Sequence, residues 1–401
     1  MAAGTNAVMP AGQAQAGGAQ AAAAPAAPAS VVPFLRGTGK GKYKFFSLSG
    51  QTLTDTAQAL STIDVKAYDY MRSLLIEVVT TANGGASGTA QADAPFNLFS
   101  QIQVVQPNGQ TMYNVSNGIH AAYIQKYGYY RNESDPRSDP TFQVNGSAAT
   151  FAVRVPFELD LRDALGALPN KDAAAPFQLN LTLNSLANVF GSGQGTSPTF
   201  TINVWLEAYD QPPTTLNGMS VQTTPPNMNT LQRWTEQNIT ISTGQFDARV
   251  RKLGNYLRLL IPVMRNSSGA RIGGFNSQAT NWVADPMQIV LDEDVKNNIS
   301  QNDWFRQIYE TWGYGGILAS TAATSGTAST GAIAFDSPYG LDTGVYPINY
   351  FLDTRSPDEN ANLYLPTIES EDYLLRGSYG SATYKMTMLV GEVLPQGNIF
   401  E

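Results

Sequence analysis

A chain of 401 residues with a formal net charge of −8 is long enough for two domains, because single cores stop growing near roughly 250 to 300 residues. The acidic balance excludes nucleic acid as the main partner, since phosphate binding needs concentrated Lys and Arg. Cysteine is absent and histidine occurs once, which excludes disulfides, thiolate metal sites, a cysteine nucleophile and imidazole clusters.

The composition points to strands: 36 Gly and 23 Pro punctuate the chain, as expected for many short strands joined by turns. Residues 1–30 carry no charged side chain and consist mostly of Ala, Gly, Gln and Pro. They predict a flexible arm, reaching to residue 40, that orders only against neighbours. The N-terminus lacks the basic start and apolar run of a secretory signal, and no run of about 18 apolar residues is present to span a bilayer. Arg36, Lys40, Lys42 and Lys44 then cluster in an otherwise acidic chain. Such a cluster suits anionic lipid, a partner's acidic surface or a solvated domain edge.

From Tyr43 to about Asp210 the pattern is almost all strand. Ile102 and Val104 alternate with Gln101 and Gln103, Pro107-Asn108-Gly109 supplies a turn, and residues from Gln110 to Val115 run on as a second strand. The period then changes. Ile119, Tyr123 and Tyr127 fall on one helical face, with Gln125 expected outward, and Gly128 stops the helix. Alternation returns at Phe151 to Phe157, Phe177 to Leu183 and Phe200 to Ala208. One buried and one polar face on each strand predict antiparallel sheets packed as a sandwich. Thr81 to Ala92 and Asn132 to Asp139 are longer than hairpins need and are expected on the surface.

Gln211-Pro212-Pro213 ends this sandwich, and residues 213–237 are expected as a linker. The second half then repeats the first. Adding 185 to the helix anchors gives Trp304, Ile308 and Trp312, with Gln307 outward, and Gly313 stands where Gly128 stood. Met287 and Ile289 repeat the strand before the helix, and Ser300 with Asp303 forms a near relative of the capping box. Tyr70-Met71-Arg72 returns as Tyr256-Leu257-Arg258 at a shift of 186, and Leu74 to Ile76 as Leu259 to Ile261 at 185. Ile202, Val204 and Leu206 match Met386, Met388 and Val390 at 184. These offsets imply an internal duplication. Gly315 to Ala334 is a charge-free run expected as an exposed loop, and the closing strands are expected at Val345 to Leu352, Ala361 to Leu365 and Tyr384 to Leu394. The organisation is therefore an arm over 1–40, a first sandwich over 41–212, a linker over 213–237, a second sandwich over 238–395 and a tail over 396–401.

Catalytic chemistry is missing from this pattern. The lone His120 lies beside Ile119 on the helix, where a structural role is favoured over a base. Asp292-Glu293-Asp294 and the trio Glu369, Glu371 and Asp372 lack the spacing of a calcium cage and are expected as solvated turns. A glycosidase would need two carboxylates facing across a cleft, which spacing does not reveal. No catalytic, cofactor-binding or metal residue is assigned and no cofactor is expected; a large duplicated protein without a site points to a structural role.

Ala94-Pro95-Phe96-Asn97-Leu98 leading through Ile102 to the Pro107-Asn108 turn, then Gly118 and His120, resembles the first domain of a known family. So does Val155-Pro156-Phe157 with Asp163-Ala164-Leu165-Gly166-Ala167-Leu168-Pro169. The family is that of the double jelly-roll major capsid proteins of tectivirus-like bacteriophages, icosahedral viruses with an internal membrane. The match covers much of the first half and is thinner in the second, and the Ala-rich arm departs from the more Gln-rich arms of the family. The resemblance implies an all-β fold of two tandem eight-stranded jelly-roll β-sandwiches, each with a short flanking helix. It implies a homotrimer whose six sandwiches form a pseudo-hexagonal capsomer in the virion shell, meeting neighbouring capsomers and penton and minor capsid proteins. It also implies that the arm, with Arg36, Lys40, Lys42 and Lys44, faces the internal membrane, with no direct contact to nucleic acid. The alternative from the residues alone is a β-sandwich adhesin or carbohydrate-binding protein.

Overall fold

A computed structural model describes residues 31–81, 91, 93–128, 149–159, 163–190, 197–226, 228, 230–242, 244–251, 254–271, 286–313, 318–319, 332–333, 342–350, 364–368, 370–379 and 384–394. The first half forms β1 (Lys40–Gln51), a broken β2 (Gln58–Ala59 and Ile63–Asp64), β3 (Tyr70–Thr80), β4 (Phe99–Val105) and β5 (Thr111–Val115). Helix α1 (Gly118–Gly128) follows, then β6 (Ala149–Pro156), β7 (Gln178–Leu183) and β8 (Phe200–Tyr209). The second half gives β9 (Leu231–Ile241), β10 (Gly244–Val250), β11 (Tyr256–Arg265), β12 (Met287–Leu291) and β13 (Asp294–Ile299). Helix α2 (Gln301–Trp312) precedes β14 (Ile348–Asn349), β15 (Tyr373–Tyr379) and β16 (Tyr384–Leu394).

The duplication is visible in the ladders. One sheet of the first sandwich has the order β1-β8-β3-β6, and the corresponding set in the second is β9-β16-β11-β14. The facing sets are β2-β7-β4-β5 and β10-β15-β12-β13. Each of β1 to β8 is thus repeated eight strands later in the same place. Register repeats too: Val204 stands opposite Ile76 in the first sandwich, and Leu389 opposite Ile261 in the second. With Ile76 matched to Ile261, this pairing sets the shift of the last strand at 185 rather than the 184 that alternation suggests.

Each sandwich buries the inward row of its strands, including Ile102, Val104, Leu179 and Leu181 in the first and Ile289, Leu375, Met386 and Met388 in the second. The two sandwiches share one core rather than two. They also share a sheet, because β5 pairs in parallel with β9 through Tyr113 and Trp234, joining the β2-β7-β4-β5 sheet to the β9-β16-β11-β14 set.

Several expectations are corrected. Helix α1 does not flank an open surface. All its residues are buried, since it lies against β4, β5 and β6 on one side and against β11 and β16 of the second sandwich on the other. Gln125 is therefore buried, and its Oε1 accepts the Arg154 amide at 2.9 Å. Residues 231–237 of the expected linker belong to β9. Residues 31–40 are docked rather than free: Val32 bridges Val221, and Phe34 packs edge-on against Tyr70 and Tyr209. β15 lies in a stretch where no strand is expected, because Leu374 puts an apolar side chain on the outer row and Gly377 leaves the inner row without one. Within the run from Gly315 to Ala334, Leu318–Ala319 pairs with Ala332–Ile333. Residues 1–30, the tail 396–401, Glu369, most of the insert at 81–92 and the whole of 132–139 lie outside the described residues.

Candidate assembly surfaces

The most elaborate chemistry lies in the seam between the sandwiches, and α1 organises it. His120, on the first turn of α1, meets Glu236 of β9 through Nδ1 and Oε1 at 2.5 Å, both side chains buried. Burial alone would raise the Glu236 carboxyl, but attraction to His120 and hydrogen bonds from His120 and Ser116 outweigh it and hold the pKa below its ordinary value. The structural role expected for His120 is thus a tie between halves. In the last turn of α1, Lys126 reaches Asp342 at 2.8 Å, and the Tyr127 hydroxyl donates to the same carboxylate at 2.6 Å. Neither ion of that pair touches water, so each depends on the other for the solvation it has lost.

Glycine sets how closely the halves approach. A Cβ on Gly128 would lie 2.9 Å from the Trp234 ring, and one on Gly391 of β16 would lie 2.6 Å from it. The indole is therefore clamped between helix and sheet at a spacing that only hydrogen permits. A third tie crosses at the loops after β3 and β11. Asp93 is held by Arg265 at 2.6 Å and Arg271 at 2.8 Å. Burial pushes its carboxyl up, the two guanidiniums outweigh it, and the net shift is downward. Beside Asp93 opens a polar cleft of about 480 Å³ lined by the amides of Asn97, Asn117, Asn184 and Asn188. None of these ties has a spacing signal in the sequence; the partners Tyr127 and Asp342 alone lie 215 residues apart.

The basic cluster resolves into two parts. Lys40, Lys42 and Lys44 occupy alternate positions on β1, an outer strand of its sheet, with Lys42 5.0 Å and Lys44 5.9 Å from the Trp205 ring and Lys40 5.7 Å from the Tyr209 ring. Arg36 lies apart on the short helical turn Phe34–Gly37. Beneath β1, Glu158 is buried between Arg72, 2.8 Å away, and the Tyr209 hydroxyl. Burial raises its pKa more than those partners lower it.

The acidic turn is structural. Asp292 and Glu293 adopt φ values of 48° and 72° between β12 and β13, and Asp292 Oδ1 accepts the amides of Glu371 at 2.7 Å and Asp372 at 3.1 Å. The Asp372 amide, followed by that of Glu371, holds the Asp292 carboxyl below its ordinary range. Among the described residues no group of three or more His, Asp or Glu is placed to hold a metal ion. Among them, too, no helix is long and apolar enough to cross a membrane.

No protein-family model and no curated protein matches the chain in sequence. Its shape is similar to solved structures. The PBCV-1 virus capsid matches with a TM-score of 0.57 at 12% identity, over 89% of this chain and 94% of that one. The STIV MCP matches with 0.55 at 13% identity, over 88% and 97%. The atomic structure of Sulfolobus Turreted Icosahedral Virus matches with 0.56 at 12% identity, over 89% and 91%. The all-β architecture of this chain, two jelly-roll sandwiches in tandem, is therefore the double jelly-roll fold of those capsid proteins.

Proposed function

We propose that this chain is a major capsid protein, a structural rather than catalytic component of a virion, whose trimers form pseudo-hexagonal capsomers tiling an icosahedral shell. The observation that carries this reading is the strand-for-strand repetition of one sandwich in the other, locked in one orientation by the seam. Three such chains place six near-equivalent sandwiches around an axis, and the two unequal faces of each chain suit a head-to-tail contact. The likeness in fold to the PBCV-1 capsid and the STIV MCP supports it. Neighbouring capsomers, penton and minor capsid proteins would be its further partners. The division of the chain that goes with it is an arm before residue 31, two sandwiches parted between about residues 213 and 230, and a short tail.

Arg36, on the short helical turn before β1, supports contact with an anionic membrane inside the shell. Light scattering tests the assembly: the expected mass is about 130 kDa, three times the 43.1 kDa chain. A monomer at micromolar concentration and physiological salt would count against the capsid reading. Flotation with anionic vesicles tests the membrane contact, which neutral vesicles should not reproduce.

A further inference from the structure

We propose that β1 of one copy docks on β13 and the outer face of α2 of a second copy, repeating between chains the contact that β9 makes with β5 and α1 within the chain. The proposal rests on the trimer reading and names the surfaces that would form it.

The open edges carry the argument. Inside the chain, the edge of β5 is closed by β9 through Tyr113 and Trp234. The counterparts of these two strands are β13 and β1, and among the described residues each has a neighbour on one side only. The molecule thus ends in the two halves of a contact it has already made once. The ladders identify the matching residues. Trp234 stands opposite Gly391, and Tyr43 opposite Leu206, the residue 185 earlier; Tyr43 is therefore the counterpart of Trp234. Tyr113 stands opposite Val104, and Asn297 opposite Ile289, again 185 apart; Asn297 is the counterpart of Tyr113.

Burial tells the same story on the helices. Ile124 of α1 is 0% exposed, whereas its counterpart on α2, Tyr309, is 55% exposed. Tyr43 is also 36% exposed, and Val295 of β13 is 50% exposed. Large apolar side chains thus stand in water where the internal seam has a partner. Charge is complementary as well: β1 carries Lys40, Lys42 and Lys44, and the receiving side carries exposed Glu293, Asp294 and Glu310. A parallel register with Asn297 beside Tyr43 sets Asp294 beside Lys40. It also sets Lys296 beside Lys42, a repulsion that the Lys296–Asp294 pair at 3.1 Å offsets. Each copy owns one β1 edge and one β13 edge, so a closed ring leaves neither of these two edges open.

The absence of cysteine makes the test clean. The double variant Tyr43→Cys/Asn297→Cys is oxidised and run on a denaturing, non-reducing gel, while light scattering gives the native mass of the same sample. Neighbouring parallel strands bring Cα atoms within disulfide range of roughly 4.4 to 6.8 Å, so a covalent trimer is expected from the double variant and monomer from each single variant. A native trimer without cross-links overturns the β1–β13 contact and leaves the trimer standing; a native monomer overturns both. Tyr309→Ala removes an exposed side chain and should leave the fold intact while raising the concentration at which trimers dissociate by about tenfold or more. Unchanged dissociation in that variant overturns the proposal independently of the cross-link.

Discussion

Trp312 Nε1 donates a 2.9 Å hydrogen bond to the carbonyl oxygen of Tyr127, a residue 185 positions earlier and its own counterpart in the duplication. Their rings also meet edge to face, with centroids 5.3 Å apart. The last anchor of each helix is thus the partner of the other. The Tyr127 carbonyl lies in the last turn of α1, where helix carbonyls have no partner within the helix. Trp312 supplies one.

Replacing Trp312 by Phe keeps most of the ring and removes the donor. The buried carbonyl then loses its partner, at a cost of about 1 to 3 kcal/mol. Chemical denaturation at one fixed protein concentration should show this loss, since a concentration change would shift an assembling protein by itself. Stability equal to the parent would mean that the bond contributes nothing.

The helix anchors give a second comparison. Tyr123 and Ile308 are both buried, and Tyr123→Ala and Ile308→Ala should each cost roughly 2 to 5 kcal/mol. Gln307 is only half-buried, and Gln307→Ala should shift stability by no more than about 0.5 kcal/mol. Gln125→Ala, which a free-standing helix would tolerate, should instead cost about 1 to 3 kcal/mol because the Arg154 amide loses its acceptor. Equal effects at Gln125 and Gln307 would contradict the burial of α1 between the sandwiches.

That contrast shows where sequence reasoning succeeds and where it stops. The anchors Ile119, Tyr123 and Tyr127 were legible because helical spacing is local, and the repeat was legible because the two halves keep one register. Ser300 and Asp303 form both halves of a capping box, also a local signal. Gln125 looked outward because periodicity reports one packed face, and nothing near it in sequence says that a second sandwich covers the other. The seam pairs have the same difficulty: His120 with Glu236 and Lys126 with Asp342 are contacts of topology. β15 has no comparable signal, because a strand whose inner row is broken by Gly377 lacks clean alternation.

Acid should loosen the Asp93 tie. Its folded pKa lies below the ordinary value, so the stabilisation is present above the unfolded pKa of about 3.9 and is lost as pH falls through the folded one. Asp93→Asn should therefore be less stable than the parent at neutral pH and should lose less stability between about pH 5 and 2. Glu158 has the opposite sign: its raised folded pKa contributes stability below the unfolded value, which is lost as pH rises through the folded one. Urea titrations across that range separate the two, and parallel curves for parent and Asp93→Asn would remove Asp93 from the acid response.

The spacing at Trp234 can be tested through its glycines. An alanine Cβ at Gly391 would come within 2.6 to 2.8 Å of Cη2, Cζ2 and Cζ3 of the indole, so Gly391→Ala should cost about 1 to 3 kcal/mol through overpacking. Those three atoms belong to the outer ring, which phenylalanine lacks. Trp234→Phe opens a void and costs stability alone, yet in the double variant the new methyl enters that void, so the two costs should not add. Gly109→Ala is the control: its φ of 83° is unfavourable for alanine but the space around it is empty. It should cost about 1 kcal/mol and add to Trp234→Phe without coupling. Coupling at Gly391 and none at Gly109 would show that the indole is packed tightly onto β16, whereas additive behaviour at both would mean that the sheet relaxes around the ring.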